Sequence, residues 1–190
     1  MKYIVALIVV AALLPGASER GVAQTMPLGG IDLSGWLNVT QPASQNKTDG
    51  VRALLLAGKS ADVTDDKGET PLGYAASFGN AEMTKLLLHY NAPVDRTDSF
   101  GNTPLHWAAQ RGSIEVMKLL LDAKAPVDAQ NKEGLTPLMM AAGKGQVPAV
   151  RLLLKHGADV HKQDYTGRDA IGWAEGRANV LEAIKAASAG

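Results

Sequence analysis

Four side chains suited to molecular recognition recur at one interval. Tyr74, Trp107, Met140 and Trp173 stand 33 residues apart. A second column, Phe78, Arg111, Lys144 and Arg177, runs four residues behind it with the same spacing. Aromatic rings and guanidinium groups dominate interface energetics, since they bury much area for few frozen torsions and carry fixed donors. The chemistry these columns could do is capture without covalent change. Rings flanked by cations would suit an extended or helical peptide with apolar groups and some acidic charge. Two competing uses stay open on sequence grounds: the rings can pack against neighbouring helices, and the cations can form a solvated face. A third set, Lys67, Phe100, Glu133 and Thr166, with Ser99, Lys132 and Tyr165 beside it, falls in turns.

Residues able to do harder chemistry do not converge. The four histidines are scattered. His106 follows a Thr-Pro-Leu run and is expected to hydrogen-bond within a turn–helix framework. His156 and His161 flank Gly157-Ala158-Asp159-Val160, and His161 with Asp164 or Tyr165 is the best that can be offered for a metal or small-molecule site, without recognised ligand spacing. No serine sits in a nucleophile elbow. The carboxylates lie at turns and helix starts, where capping explains them. Ala57-Gly58-Lys59-Ser60 looks like half a phosphate loop, but Ala53 stands where its first glycine belongs, and a helix rather than a strand precedes it. No enzyme, no cofactor and no metal are therefore expected.

The elements that position the columns can be read from the same period. Thr70-Pro71-Leu72, Thr103-Pro104-Leu105 and Thr136-Pro137-Leu138 are evenly spaced, as are Gly68, Gly101, Gly134 and Gly167, and Ala75-Ala76, Ala108-Ala109 and Ala141-Ala142. In the best-formed unit, Asp98 can bond the turn backbone and Gly101 can take a positive φ. Thr103 is an N-cap, and Pro104 fits the first helical position, where its missing N–H costs nothing. Leu105, Ala108 and Ala109 face a neighbour at helical spacing, and Gly112 ends the helix. A second helix is expected from about Ile114 to Asp122, with Ile114, Met117, Leu120 and Leu121 inward. Asn91, Lys124 and Gly157 share the column after the second helix, where a left-handed residue is usual. A fixed period of this length means a stacked array.

These motifs resemble the ankyrin repeat: turn, T-P-L-H-x-A-A, helix, G-x-x-x-V-x-x-L-L, turn. The resemblance covers roughly residues 49 to 187. It implies an all-α solenoid of helix–turn–helix pairs with β-turn or hairpin tips, about four to five repeats long with atypical ends. The ankyrin-repeat domain is placed at 48–190: a degenerate repeat at about 48–64, full repeats at 65–97, 98–130 and 131–163, and a capping repeat at 164–190. In the last, Asp169 stands in the threonine column and can cap as well. Partner binding is implied along the concave side and turn tips, at Tyr74, Phe78, Phe100, Trp107, Arg111, Met140, Lys144, Tyr165, Trp173 and Arg177.

The N-terminus is a different object. Met1-Lys2, an apolar run from Tyr3 to Leu14 and Pro15-Gly16-Ala17 follow the order of a secretory signal peptide, placed at 1–23 with cleavage after Ala17 or Ala23. Twelve apolar residues fall short of the ~20 that span a bilayer, although an uncleaved anchor is the competing reading. The short charged region favours a bacterial source and the periplasm, or secretion. With no cysteine, a lipoprotein anchor and disulfides are both excluded. Removing residues 1–23 leaves 17 basic against 18 acidic residues, a balance with no global pull on nucleic acid or anionic membrane. Residues 24–47 read as a linker with a docking segment at Ile31-Asp32-Leu33 and Trp36-Leu37. The expected function is a non-catalytic protein–protein interaction module of the cell envelope. The alternatives are a small-molecule or metal-binding periplasmic protein and an inhibitory or accessory subunit of an envelope enzyme.

Overall fold

The computed structural model describes residues 38–188. The expected signal peptide, its cleavage sites and Trp36 lie outside that range. Ten helices are present among the described residues, and no strand. They are α1 (Thr40–Ser44), α2 (Thr48–Leu56), α3 (Pro71–Phe78), α4 (Ala81–His89), α5 (Pro104–Arg111), α6 (Ile114–Asp122), α7 (Pro137–Gly143), α8 (Val147–Lys155), α9 (Ala170–Trp173) and α10 (Ala178–Ser188). Odd-numbered helices contact one another in sequence order and form an inner row. Even-numbered helices do the same in an outer row, and each pair from α1/α2 to α7/α8 packs within itself. The result is five stacked repeats, all-helical as expected.

The stack follows from residue size and caps. Ala75, Ala76, Ala108, Ala109, Ala141 and Ala142 are fully buried, which lets the inner helices approach closely. Leu72, Leu105 and Leu138 fill the space beside them, and Met83, Leu87, Met117, Leu120 and Leu153 join the rows. Removing one such leucine side chain costs about 2–5 kcal/mol. The inner helices α3, α5 and α7 each open on a threonine and a proline, and α9 opens on Asp169 followed by alanine. The Thr70 hydroxyl accepts from Gly73 N at 2.9 Å, Thr136 from Met139 N at 3.3 Å, and the Asp169 carboxylate from Gly172 N at 2.9 Å. Asp169 therefore keeps the chemistry of the threonine column without its motif.

The two ends depart from the repeat. Residues 40–47, assigned from sequence to the end of the linker, carry α1. Val39 and Ala43 are buried where Leu72 and Ala76 lie one repeat later, and Asn46 (φ 55°) stands in for Gly79 (φ 69°). The Thr-Pro-Leu signature is absent there, yet the buried pair and the left-handed exit are retained. The last repeat is shortened. Its exit glycine, Gly176, comes nine residues after Gly167, against eleven from Gly134 to Gly145. α9 is consequently a single turn.

The exits of α4, α6 and α8 are left-handed, as expected: Asn91 has φ 57°, Lys124 66° and Gly157 83°. Lys124 carries a Cβ in a conformation that costs an ordinary residue about 1 kcal/mol. Lys124→Gly should raise the thermal midpoint by roughly 2–4 °C in a scanning calorimeter. An unchanged or lower midpoint would show that the lysine stem recovers the strain elsewhere.

Candidate binding surface

The tips are built alike four times. One oxygen of Asp65, Asp98, Asn131 and Asp164 accepts from the main-chain N–H groups two and four residues on, at 2.8–3.0 Å. Gly68, Gly101, Gly134 and Gly167, all at positive φ, close the turns. Adjacent tips are stitched by main-chain bonds, Lys132 N to Phe100 O at 3.0 Å and Tyr165 N to Glu133 O at 3.1 Å.

The aromatic column is tied to those tips. Tyr74 Oη donates to Asp65 Oδ2 at 2.6 Å, Trp107 Nε1 to Asp98 Oδ2 at 3.1 Å and Trp173 Nε1 to Asp164 Oδ2 at 2.8 Å. In the fourth repeat the tip residue is Asn131, whose amide would face an indole N–H donor to donor. There the column holds Met140, which has no N–H. Tyr74, Trp107 and Trp173 are half-buried against the core with their rings bonded to the tips, and Met140 is half-buried too. Packing and surface presentation are thus both true of them. The polar ends are consumed inside the chain, and a partner would meet only apolar faces. The signal was present in the sequence: an aspartate precedes each ring by nine residues, and an asparagine precedes the methionine.

The remaining expected residues divide by exposure. Phe100 and Tyr165, at the tips, are 65% and 75% exposed. Phe78 stacks on Tyr74 with centroids 6.5 Å apart and keeps an exposed edge. Arg111 donates to Ser77 O at 3.1 Å, reaching back across one repeat, and Lys144 is exposed. Arg177 lies beside Gly145 of the preceding repeat, as Arg111 lies beside Gly79, although its place in its own repeat is shifted. Because the last repeat is short, it follows the exit glycine, whereas Lys144 precedes Gly145. It folds back onto Trp173 O and Glu175 O at 3.4 Å. Sequence reasoning missed Arg168, whose guanidinium carbon lies 4.6 Å from the centre of the Trp173 ring and whose Nη2 donates to Gly172 O at 2.8 Å. Gly143 receives the same indole, where a Cβ would stand 3.1 Å from Trp173 Cε3.

Electrostatics at the tips are uneven. Two hydrogen bonds beyond the main-chain pair, from the Thr166 hydroxyl and the Trp173 indole, hold the tip together at Asp164. Burial works to raise its pKa, but the Thr166 hydroxyl, Arg168 N and the Trp173 indole bring it down to about 2. Tyr74 is pushed well above the ordinary phenol value by burial and by Asp65. Glu69 is raised to about 7, first by burial and then by Asp98 and Asp65. Its carboxylate lies over Gly73, filling the place that His106 takes one repeat on; any side chain at 73 would collide with it. A raised acid stabilises the fold fully below its unfolded value near 4.5 and loses that contribution as pH rises through about 7. Glu69→Gln should therefore raise the thermal midpoint at pH 8 by roughly 2–4 °C, with the gain vanishing near pH 4.5. A midpoint gain that is independent of pH would contradict this.

Among the described residues no group of three His, Asp or Glu side chains converges as a cation site, and no helix is long and apolar enough to cross a membrane. His161, the best sequence-level ligand, is exposed, and its N–H bonds Asp159 Oδ1 at 2.8 Å. Gly58 simply ends α2 with φ 79°. The family model described as ankyrin repeats, three copies, matches residues 41–131 and 118–188. This chain is an ankyrin-repeat protein. No curated protein matches it. Ankyrin repeats mediate protein–protein interaction and are typically non-catalytic. The matched segment starts within α1, so the family pattern and the inner row agree on a repeat before the first Thr-Pro-Leu.

Proposed function

We propose that this ankyrin-repeat protein is a non-catalytic binding module exported to the cell envelope. It takes a partner protein along the inner-helix face and the tips. The observation that carries this reading is the division of labour among its aromatic residues. Tyr74, Trp107 and Trp173 are pinned at their polar ends. Phe100 and Tyr165 stand exposed at the tips. Fixed rings lose little entropy on binding, and exposed ones bury new area, a combination that favours tight capture. Export rests on the order of charge, apolar run and small residues at 1–23.

A photoreactive amino acid at Phe100 or Tyr165, in the native cell, should yield one protein adduct common to both positions. The same amino acid at Lys118, exposed on the outer helix α6, should not yield it. Equal adducts from both faces, or none at the tips, would remove the reading. Fractionation and N-terminal sequencing test the location: the mature chain should begin after residue 17 or 23, and recovery in the cytoplasmic fraction with Met1 retained would refute export.

A further inference from the structure

The face that carries the rings is electrically lopsided along its length. Around α3 it presents Asp66 against Lys67 and no charge on the helix itself, with Glu69 half-buried and only partly ionised at neutral pH. From α5 onward it presents Arg111, Lys132, Lys144, Arg168 and Arg177 against Glu133 and Glu175. Asp98 and Asp164 lie buried beneath this surface, their carboxylates taken up by main-chain and indole donors within their own tips. Among the described residues the two ion pairs, Arg52–Glu82 and Arg96–Asp62, lie on the outer helices and their exit turns. The bonds that Arg111, Arg168 and Arg177 make go to carbonyl oxygens, which fix the guanidinium groups without neutralising them.

We propose that the partner segment is an extended acidic peptide lying across α5, α7 and α9, with carboxylates facing Arg111, Lys144 and the Arg168/Arg177 pair and an apolar side chain over Met140. This rests on the protein-binding reading above. The geometry also sets a spacing. Packed helices stand about 10 Å apart, and an extended chain advances about 3.3 Å per residue. Carboxylates at every third residue match successive repeats. Glu133 and Glu175 interrupt the cations, and the whole chain has no net charge, which disfavours a continuous phosphate backbone. The two indoles on either side of Met140 suit a leucine or phenylalanine better than a base, since their edges are held by Asp98 and Asp164.

Fluorescence anisotropy on the mature chain at physiological salt can test this with four labelled probes. These are a twelve-residue peptide with acidic residues at every third position around one leucine, its isomer with the acids adjacent, a lysine counterpart, and a single-stranded DNA of equal length. The spaced acidic peptide should bind about tenfold tighter than its isomer. Lys144→Glu with Arg111→Glu should abolish the difference while leaving the circular dichroism unchanged. Equal binding of the isomers, preference for the lysine peptide or the DNA, or no binding by any probe overturns the proposal. The in-cell adduct at Phe100 separates the two claims. If it survives Lys144→Glu/Arg111→Glu, protein recognition stands and the acidic segment falls; if it never forms, the broader reading falls as well.

Discussion

Asp98→Ala should lower the unfolding free energy by about 4 kcal/mol, the largest loss expected of any single polar substitution here. The carboxylate accepts from Phe100 N and Asn102 N at 2.8 Å, from Asn102 Nδ2 at 3.2 Å and from Trp107 Nε1 at 3.1 Å. Alanine orphans all four donors in a buried tip. Asp98→Asn is the sharper variant. Its oxygen can keep the main-chain pair, but its amide then confronts the indole N–H, at a cost of about 2 kcal/mol. The fourth repeat shows the compatible alternative. Asn131 takes Glu133 N and Leu135 N at 2.9 Å and gives its amide to Asn102 Oδ1 at 2.8 Å, and its repeat carries Met140 in the column where Trp107 stands. Asp98→Asn/Trp107→Met should therefore cost at least about 1 kcal/mol less than the sum of its single changes in urea titrations. Strict additivity would show that the tip and the ring are energetically independent.

His106→Ala comes next, at about 3–4 kcal/mol. The imidazole is fully buried. Nδ1 accepts from Thr103 N at 3.0 Å, which assigns the proton to Nε2, 2.9 Å from Leu135 O of the following repeat. Removing the ring leaves a cavity and two unpaired main-chain groups at the junction of the third and fourth repeats. The same residue sets an acid limit. Burial holds its pKa below the ordinary 6.5, against the pull of the Leu135 carbonyl and Asp98. A depressed pKa gives stability that is present above the unfolded value and is lost as pH falls from there through the folded one. Over that window the loss approaches 1.4 kcal/mol per pH unit. Wild type should lose stability below pH ~6.5 more steeply than His106→Gln. Parallel curves would mean the imidazole charges in place.

The middle of the array was legible because its physics is local. Thr-Pro-Leu marks a capped start, paired alanines mark close approach, and a glycine marks each left-handed exit. The bounds Ile114–Asp122 for α6 follow from apolar spacing alone. The ends were harder because the signature was traded for equivalents: Val39, Ala43 and Asn46 at the start, and Asp169 with an early Gly176 at the finish. Spacing placed Arg177 in a row that it still joins beside Gly145, although a two-residue shortening moves it past its own exit glycine. The site was legible as residue types and not as bonds. Nothing in Tyr74, Trp107 or Trp173 taken singly says that its polar end is occupied. The pairing appears only when each is set beside the residue nine before it.

The bonds that cross between neighbouring repeats in the interior are not evenly shared. His106 to the Leu135 carbonyl and Asn131 to Asn102 both join the third unit to the fourth, beneath the main-chain bond from Lys132 to Phe100. Under tension on its termini the chain should unravel from either extremity inward and shed its short outermost units first. The central pair would hold longest and act as the seed from which the rest winds up again.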